Sequence, residues 1–150
     1  MEEGSLFSNI VVPTDGSQLA VAAVEKAVGF ARDADASITF VSVVEPFRIF
    51  STDSEQLSNT REEYKRLADT QAHQSRSEAE MKARQQGVVC GSVRIDSADV
   101  HSAIIKVAVS NGCDVIATAS HGRGEMGTLL LGRVTSKVLT HSCIPVLVYR

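Results

Sequence analysis

The residues with the clearest chemical potential form two stretches, Ala119-Ser120-His121-Gly122 and Gly132-Arg133-Val134-Thr135, which are separated by nine residues. Gly122 and Gly124 would let backbone N–H groups approach an anion without hindrance from a Cβ atom. A helix that begins near Gly132 would add the positive end of its dipole. Hydroxyl and cationic donors complete the set: Ser120, Arg123, Arg133 and Thr135. This combination is typical of a loop that binds phosphate.

Catalytic chemistry has less support in the same region. His121 is a candidate general acid or base, yet a histidine that donates to phosphate or to the backbone is the simpler interpretation. Glu125 could position Mg²⁺ on a nucleotide, although a single loop carboxylate is usually only solvated. No His, Cys and acid cluster has metal-ligand spacing, and no Ser/His/Asp arrangement stands out. The sequence therefore predicts a binding site with no assigned catalytic or metal-ligating residue.

Two other phosphate motifs fit poorly. Residues 122–127 have the spacing G-x-G-x-x-G, which would suggest a dinucleotide site. No acidic residue follows about twenty positions later to hold a ribose. A P-loop is excluded because the chain has no Gly-Lys-Ser/Thr.

Alternating strand and helix signals position these stretches. The predicted strands are residues 9–12, 37–44, 88–95, 114–119 and 145–149, and helical patterns separate them. The second helix is predicted over residues 60–86, largely solvated, with a thin apolar stripe at Tyr64, Leu67 and Met81 and an irregular connection over residues 47–59 before it. This alternation predicts one α/β domain over residues 1–150, a parallel sheet with helices on both faces.

Ligands of such sheets bind beyond the carboxyl ends of the strands, where the winding reverses. If the first and fourth strands flank that reversal, the turn Pro13-Thr14-Asp15-Gly16-Ser17 faces the stretch that begins at Ala119. Asp15 is then placed to accept from a sugar hydroxyl or a base amino group, and it can equally cap the first helix, as can Ser17. Backbone groups near Val43, at the end of the second strand, could complete a nucleoside pocket.

Composition excludes several classes of protein. With 150 residues, 43% of them hydrophobic, the chain suits one globular core. Its net charge of -3, without long blocks of either sign, argues against general binding to nucleic acid or to an anionic membrane. The N-terminus lacks a signal-peptide pattern and no run is long enough to span a membrane, so we expect a cytoplasmic protein. The three cysteines are expected to be reduced and mostly buried.

The chain resembles a universal stress protein. The resemblance rests on residues 10–17, IVVPTDGS, on residues 114–123, DVIATASHGR, and on the C-terminal motifs LLLG and KVLTHSCIPVLV. It implies a five-stranded parallel sheet of order 3-2-1-4-5 and a stress-response regulatory protein that binds ATP or AMP, with or without Mg²⁺. By position, Asp15 and Val43 would hold adenosine, whereas Gly122, Gly132, Arg133 and Val134 would hold the phosphates. The full predicted contact set is Pro13, Thr14, Asp15, Val43, Ala119, Ser120, His121, Gly122, Arg123, Gly132, Arg133, Val134 and Thr135.

Two positions depart from the nucleotide-binding pattern of that family. Ala119 stands where the pattern has its first glycine, and Arg133 stands where it has a small hydroxyl residue. If Ala119 needed a positive φ, the cost would be on the order of 1–2 kcal/mol, about tenfold in affinity. Losing the hydroxyl at position 133 removes a hydrogen bond worth roughly 1 kcal/mol, although the guanidinium can meet a phosphate. Two alternatives therefore stay open: an interaction module with a vestigial pocket, and a slow nucleotide-processing enzyme that uses His121 or Glu125.

The last predicted strand, bounded by Pro145 and Tyr149, is apolar and would form an open sheet edge in the family's strand order. Soluble proteins seldom leave such an edge uncovered. Antiparallel pairing with the same strand of a second subunit would cover it under two-fold symmetry. We therefore expect a homodimer through this strand, the alternative being a short edge strand shielded by helices.

Overall fold

The computed structural model describes residues 7–47, 54–121 and 131–150, the side chains of residues 54–59 excepted. Within these ranges the strands and helices alternate along the chain. They are β1 (Asn9–Pro13), α1 (Gln18–Ala34), β2 (Ser37–Val44), α2 (Ser54–Gln85), β3 (Cys90–Asp96), α3 (Val100–Ser110), β4 (Val115–Ala119), α4 (Arg133–His141) and β5 (Val146–Tyr149).

The strands form one five-stranded sheet of order β3-β2-β1-β4-β5. All four pairings are parallel, so the predicted α/β class and strand order are confirmed. The chain winds outward from β1 to β3 and then crosses to β4, which pairs with the other side of β1 at Ile10↔Val115. The winding therefore reverses between β1 and β4.

Side chains alternate between the two faces of each central strand, and each face carries its own core. Ile10 and Val12 of β1 are buried with alanines and valines of α1 and with Ala79 and Ala83 of α2. Val11, the residue between them, is buried on the other face with Ile104 of α3 and Val138 of α4. A parallel sheet that is covered on both faces explains why β1 and β4 read as unbroken apolar runs.

The predicted first helix is confirmed, and its start follows from the turn that precedes it. Gly16 has a φ of 80°, a left-handed conformation that favours glycine. The Ser17 hydroxyl then accepts a hydrogen bond from the Ala20 N–H at 3.2 Å, which caps α1. A six-residue apolar face, from Ala20 to Ala31, packs inward.

The predictions for α2 are partly wrong. The helix begins at Ser54, so residues 54–59 are helical and not an irregular connection. The predicted stripe does not face the core, because Leu67 is 57% exposed and Met81 is 56% exposed. Instead the buried positions are small residues at helical spacing, namely Ala72, Ser75, Ala79 and Ala83. Although α2 has 32 residues, no helix in the described ranges is both long and apolar enough to cross a membrane.

Asp114, directly before β4, connects the amino ends of β4 and β1 by hydrogen bonds. Its carboxylate accepts hydrogen bonds from the Ser8 N–H at 2.8 Å and from the Asn9 N–H at 3.1 Å. These bonds lower the pKa of Asp114, although burial acts to raise it. The carboxylate thus sets the register of β1 against β4, which positions their opposite ends.

All three cysteines are free, as expected, but they differ in burial. Cys113 is buried, Cys90 is half-buried and Cys143 is exposed, so the expectation of mostly buried thiols holds for only part of the set. Burial raises the pKa of both Cys90 and Cys113. Those two thiols are therefore poor nucleophiles at neutral pH.

Candidate functional site

The exits of β1 and β4 lie side by side at the carboxyl edge of the sheet. The two strands are in register at Val11↔Ile116, so Thr14 and Ser120 each leave the sheet at the point where the winding reverses. Crevices at such reversals are where α/β sheets bind ligands. The two loops that the sequence predicts to face one another therefore begin next to each other.

The exit of β1 is a fixed turn. The Thr14 N–H donates to the Val41 carbonyl at 2.8 Å, and the Asp15 carboxylate accepts from the Ser17 N–H at 2.9 Å. Asp15 is only partly buried. In the structure this turn thus leads directly into the start of α1, whereas a ligand contact by Asp15 stays a prediction.

The exit of β4 is tied to both β5 and α4. The Ser120 N–H donates to the Tyr149 carbonyl at 2.8 Å, and the Ser120 carbonyl accepts from the Gly132 N–H at 2.8 Å. The Thr135 hydroxyl donates to the Ala119 carbonyl, also at 2.8 Å. The first turn of α4 is therefore held against the end of β4, although nine or more residues separate them in sequence.

Ala119 carries no backbone strain. It is the last residue of β4 and is 7% exposed. Asp35 is the only non-glycine residue with a positive φ in the described ranges. The penalty considered for alanine in a left-handed conformation therefore does not arise at Ala119.

The hydroxyl groups that the sequence predicts as phosphate donors point inward. Thr135 is 3% exposed, and its hydroxyl bonds to the Ala119 carbonyl. The Ser120 hydroxyl lies 2.9 Å from Nδ1 of His121. His121 itself is 8% exposed, and its Nε2 finds no hydrogen-bond partner among the described residues. A buried polar atom without a partner costs roughly 1–3 kcal/mol, so Nε2 calls for an explanation.

The N-terminus of α4 begins at a glycine. Gly132 is the N-cap residue, with φ -65° and ψ 164°, and no side chain among the described residues caps the helix. Arg133, the first helical residue, is exposed, while Val134 packs against the core on the α3 and α4 side. The first turn of α4, with its N–H groups, thus lies next to the end of β4. Gly122 and Arg123, together with Gly124 and Glu125, fall outside the described residues.

The backbone of Val43 lies past the point where β1 stops pairing with β2. The pairing of β1 with β2 ends at Pro13↔Val41, followed by the hydrogen bond from Thr14 to the Val41 carbonyl. Backbone groups alternate in direction along a strand, so those of Val43 point to the same side as those of Val41. The backbone groups of Val43 therefore point towards β1, but at a level that β1 does not reach. One N–H donor and one carbonyl acceptor can therefore meet the edge of a base there.

Arg76 is a residue of this region that the sequence did not reveal. Its Nη1 donates to the Ser42 hydroxyl at 2.7 Å, which brings a guanidinium from α2 to the carboxyl end of β2. Ser42 precedes Val43 and is buried. The two partners are 34 residues apart, and nothing in their local sequence signals the contact.

Concavities in the described ranges include one beside the exit of β1 and one on α2. A cleft between α1 and α2, lined in part by Thr14, Gly16 and Ser75, holds only ≈ 10 Å³. That is room for about one water molecule. A larger concavity of ≈ 450 Å³ is lined by the C-terminal half of α2 alone, near Glu80 and Arg84, away from the ends of β1 and β4. No group of three or more metal-ligating side chains occurs in the described part of the chain.

Comparison with known proteins places the chain in a family. The profile of the Universal stress protein family matches residues 6–150. The universal stress protein MJ0531 of Methanocaldococcus jannaschii is 24% identical over 146 residues, which are 97% of this chain and 84% of that protein.

Solved structures share the fold. UspA of Lactobacillus plantarum superposes with a TM-score of 0.77 at 23% identity, covering 96% of this chain and 98% of that one. A universal stress protein in complex with cAMP gives a TM-score of 0.71 at 23% identity, covering 97% and 99%. A universal stress protein of Archaeoglobus fulgidus in complex with dAMP gives 0.65 at 17% identity, covering 97% and 99%. The chain belongs to the universal stress protein family.

Proposed function

We propose that this protein binds an adenine nucleotide, ATP or AMP, at the carboxyl edge of its sheet and acts as a cytoplasmic stress-response regulator. The observation that carries the proposal is the meeting of the β1 exit, the β4 exit and the uncapped N-terminus of α4 at the point where the winding reverses. Whether Mg²⁺ accompanies the nucleotide is a separate question for the same experiment.

The nucleoside end of the site is assigned to β1 and β2. The free backbone edge at Val43 suits the donor and acceptor pattern of adenine, which offers a ring nitrogen and an amino group. Asp15 lies after β1 with a partly exposed carboxylate that can accept from ribose hydroxyls. Pro13, the last residue of β1, and Thr14, which is buried, complete the proposed contacts at this end.

The phosphate end is assigned to β4 and α4. An anion there would accept from the first-turn N–H groups of α4 and meet the guanidinium of Arg133. Gly122 and Arg123 belong to the proposed contacts by their place in the sequence. Solved relatives in complex with cAMP and dAMP support the class of ligand.

Calorimetry on the full chain with ATP and with AMP, each with and without Mg²⁺, tests the proposal. We expect binding at micromolar strength or weaker, because two positions depart from the family pattern. Mass spectrometry of the freshly purified protein should detect an adenine nucleotide. An absence of both heat and thermal shift at millimolar nucleotide would refute the proposal.

A second candidate function is favoured by the inward-pointing hydroxyls of Ser120 and Thr135. With these groups engaged inside the protein, the pocket could be vestigial and the function could rest on contacts with partner proteins. The calorimetric result separates the two candidates, since this one predicts no nucleotide binding. A slow nucleotide-processing activity at His121 or Glu125 would appear as phosphate release that falls in His121→Ala or Glu125→Ala.

We further propose a homodimer through the open edge of β5. The carbonyls of Pro145 and Tyr149 accept bonds from β4, so the backbone groups of Val146 and Val148 alternate to the outer edge. Val148→Pro removes an outward N–H and should yield a monomer that keeps its fold, because proline is tolerated on edge strands. Leu147→Pro is the matched control, since its N–H faces β4 and its loss should lower the unfolding midpoint. Sedimentation that shows the wild-type chain as a monomer would refute the dimer.

A further inference from the structure

We propose that α2 sets the base specificity of the nucleotide site by fixing the last residues of β2, with Arg76 and Tyr64 as positioning residues. The inference rests on the proposed function and adds a determinant of its specificity. Its starting point is that two side chains of α2 hold the chain on either side of Val43, whose backbone is proposed to meet the base.

The end of β2 is supported by a neighbouring strand on one side only. Its pairing with β1 stops at Pro13↔Val41, whereas its pairing with β3 continues to Val44↔Asp96. The backbone groups of Val43 that point towards β1 therefore have no residue of that strand opposite them. A segment held at one edge can shift, and hydrogen bonds to a base weaken steeply once their distance or angle leaves the usual range.

Arg76 holds the residue that precedes Val43. Its Nη1 donates to the Ser42 hydroxyl at 2.7 Å, and Ser42 is only 3% exposed. A hydrogen bond with a charged donor is roughly twice as strong as one between neutral groups. If the guanidinium were removed, the buried hydroxyl would lose this donor, and the end of β2 would lose this attachment to α2.

Tyr64 holds the residues that follow Val43. Its hydroxyl donates to the Glu45 carbonyl at 2.9 Å, and its ring lies against that of Phe47, with the centroids 5.4 Å apart. Tyr64 and Arg76 are about three turns apart on α2, so one helix contacts the chain both before and after Val43. The residue that is proposed to meet the base is thus held from both sides by the same element.

The position of Val43 decides which base fits. Adenine offers an acceptor nitrogen beside a donor amino group, whereas guanine offers a donor nitrogen beside an acceptor oxygen. An N–H and a carbonyl in fixed places match adenine and leave guanine mismatched, which should weaken GMP binding by about tenfold or more relative to AMP. If the end of β2 shifts, AMP loses its matched bonds, whereas GMP loses little because it made none. A loosened segment therefore lowers the AMP-to-GMP affinity ratio.

Calorimetric titration of the full chain with AMP and with GMP tests this inference. Arg76→Met removes the guanidinium and keeps an unbranched side chain, whereas Tyr64→Phe removes only the hydroxyl. Arg76→Lys keeps a cationic donor for the Ser42 hydroxyl. Arg84→Met is the matched control, because Arg84 pairs with Glu80 of the same helix.

We expect the wild-type chain to prefer AMP, and the AMP-to-GMP affinity ratio to fall at least about threefold in Arg76→Met and in Tyr64→Phe. The ratio should return towards the wild-type value in Arg76→Lys and stay unchanged in Arg84→Met. Urea unfolding first establishes that each variant is folded. If Arg76→Met does not fold, Tyr64→Phe decides the test, since the Tyr64 side chain is partly exposed and keeps its ring.

The outcomes separate the inference from the function beneath it. If AMP does not bind the wild-type chain, the proposed function fails and the inference fails with it. If AMP binds and the affinity ratio is the same in Tyr64→Phe and Arg76→Met as in the wild type, the function stands and the inference is overturned. An equal loss of AMP and GMP binding in these variants also overturns it, because that would show a contribution to stability alone.

Discussion

The hydrogen bond from Thr135 to the Ala119 carbonyl should stabilise the fold and not the bound ligand. The Thr135 hydroxyl is buried and 2.8 Å from its acceptor, and it holds the first turn of α4 against the end of β4. Thr135→Val keeps the shape of the side chain but removes the donor. Without this donor, the Ala119 carbonyl loses its hydrogen bond, and the free energy of unfolding should fall by about 1–2 kcal/mol. For a chain of this size that corresponds to a loss of roughly 2–8 °C in Tm.

Thr118→Val is the matched control for this prediction. Thr118 is also buried, at 8% exposure, and its hydroxyl lies 3.4 Å from the same carbonyl oxygen, longer than a normal O–H···O bond. We expect Thr118→Val to change the free energy of unfolding by less than about 0.5 kcal/mol. Urea unfolding of both variants measures their stability, and AMP calorimetry measures their affinity for the nucleotide. Equal stabilities for the two variants, with AMP affinity lost only in Thr135→Val, would refute the structural role.

Two further predictions concern stability away from the site. The pKa of Asp114 is lowered in the folded state, so its stabilisation is complete above the unfolded value near 3.9 and is lost as the pH falls through the lower folded value. Urea midpoints measured from neutral to strongly acidic pH should therefore drop more steeply for the wild type than for Asp114→Asn, and parallel curves would contradict this. Ala83→Leu should cost about 1–3 kcal/mol by overpacking α2 against the sheet, because Ala83 is 0% exposed. Leu67→Ala on the exposed face of α2 should cost less than about 0.5 kcal/mol in the same unfolding assay, and a reversed order would show that the stripe at Leu67 is the packed face.

Sequence periodicity predicted the elements whose buried face includes β-branched residues. The face of α1, which has Val24 and Val28 among its alanines, and the β-branched run of β2 each signal their own burial, and the alternation of such elements led to the parallel sheet. The buried face of α2 was not predicted, because in the described part of the helix it consists of alanine and serine alone, and these residues carry little hydrophobic signal. Ala79 and Ala83 are buried because a small residue lets the helix approach the sheet closely, which periodicity of large residues cannot reveal.

The candidate site was predicted to the level of its loops but not to the level of side-chain direction. The pattern around Ser120 and Gly132 located the meeting of β4 with α4. It did not indicate that the hydroxyls of Ser120 and Thr135 would turn inward, since their partners are set by tertiary contacts. Arg76 was missed for the same reason, because its contact with Ser42 joins residues distant in sequence.

AMP titration of the wild-type chain and of Gly132→Asp tests the central claim most directly. Gly132 has backbone angles open to any residue, and aspartate is a favoured N-cap. Because Gly132 is buried, urea unfolding first establishes that the variant is folded at the temperature of the titration. The carboxylate would occupy the first-turn N–H groups of α4 and repel a phosphate. We expect AMP to bind the wild type and to bind folded Gly132→Asp at least about tenfold more weakly. Equal affinity in the two proteins, or no binding to the wild type, would contradict the claim.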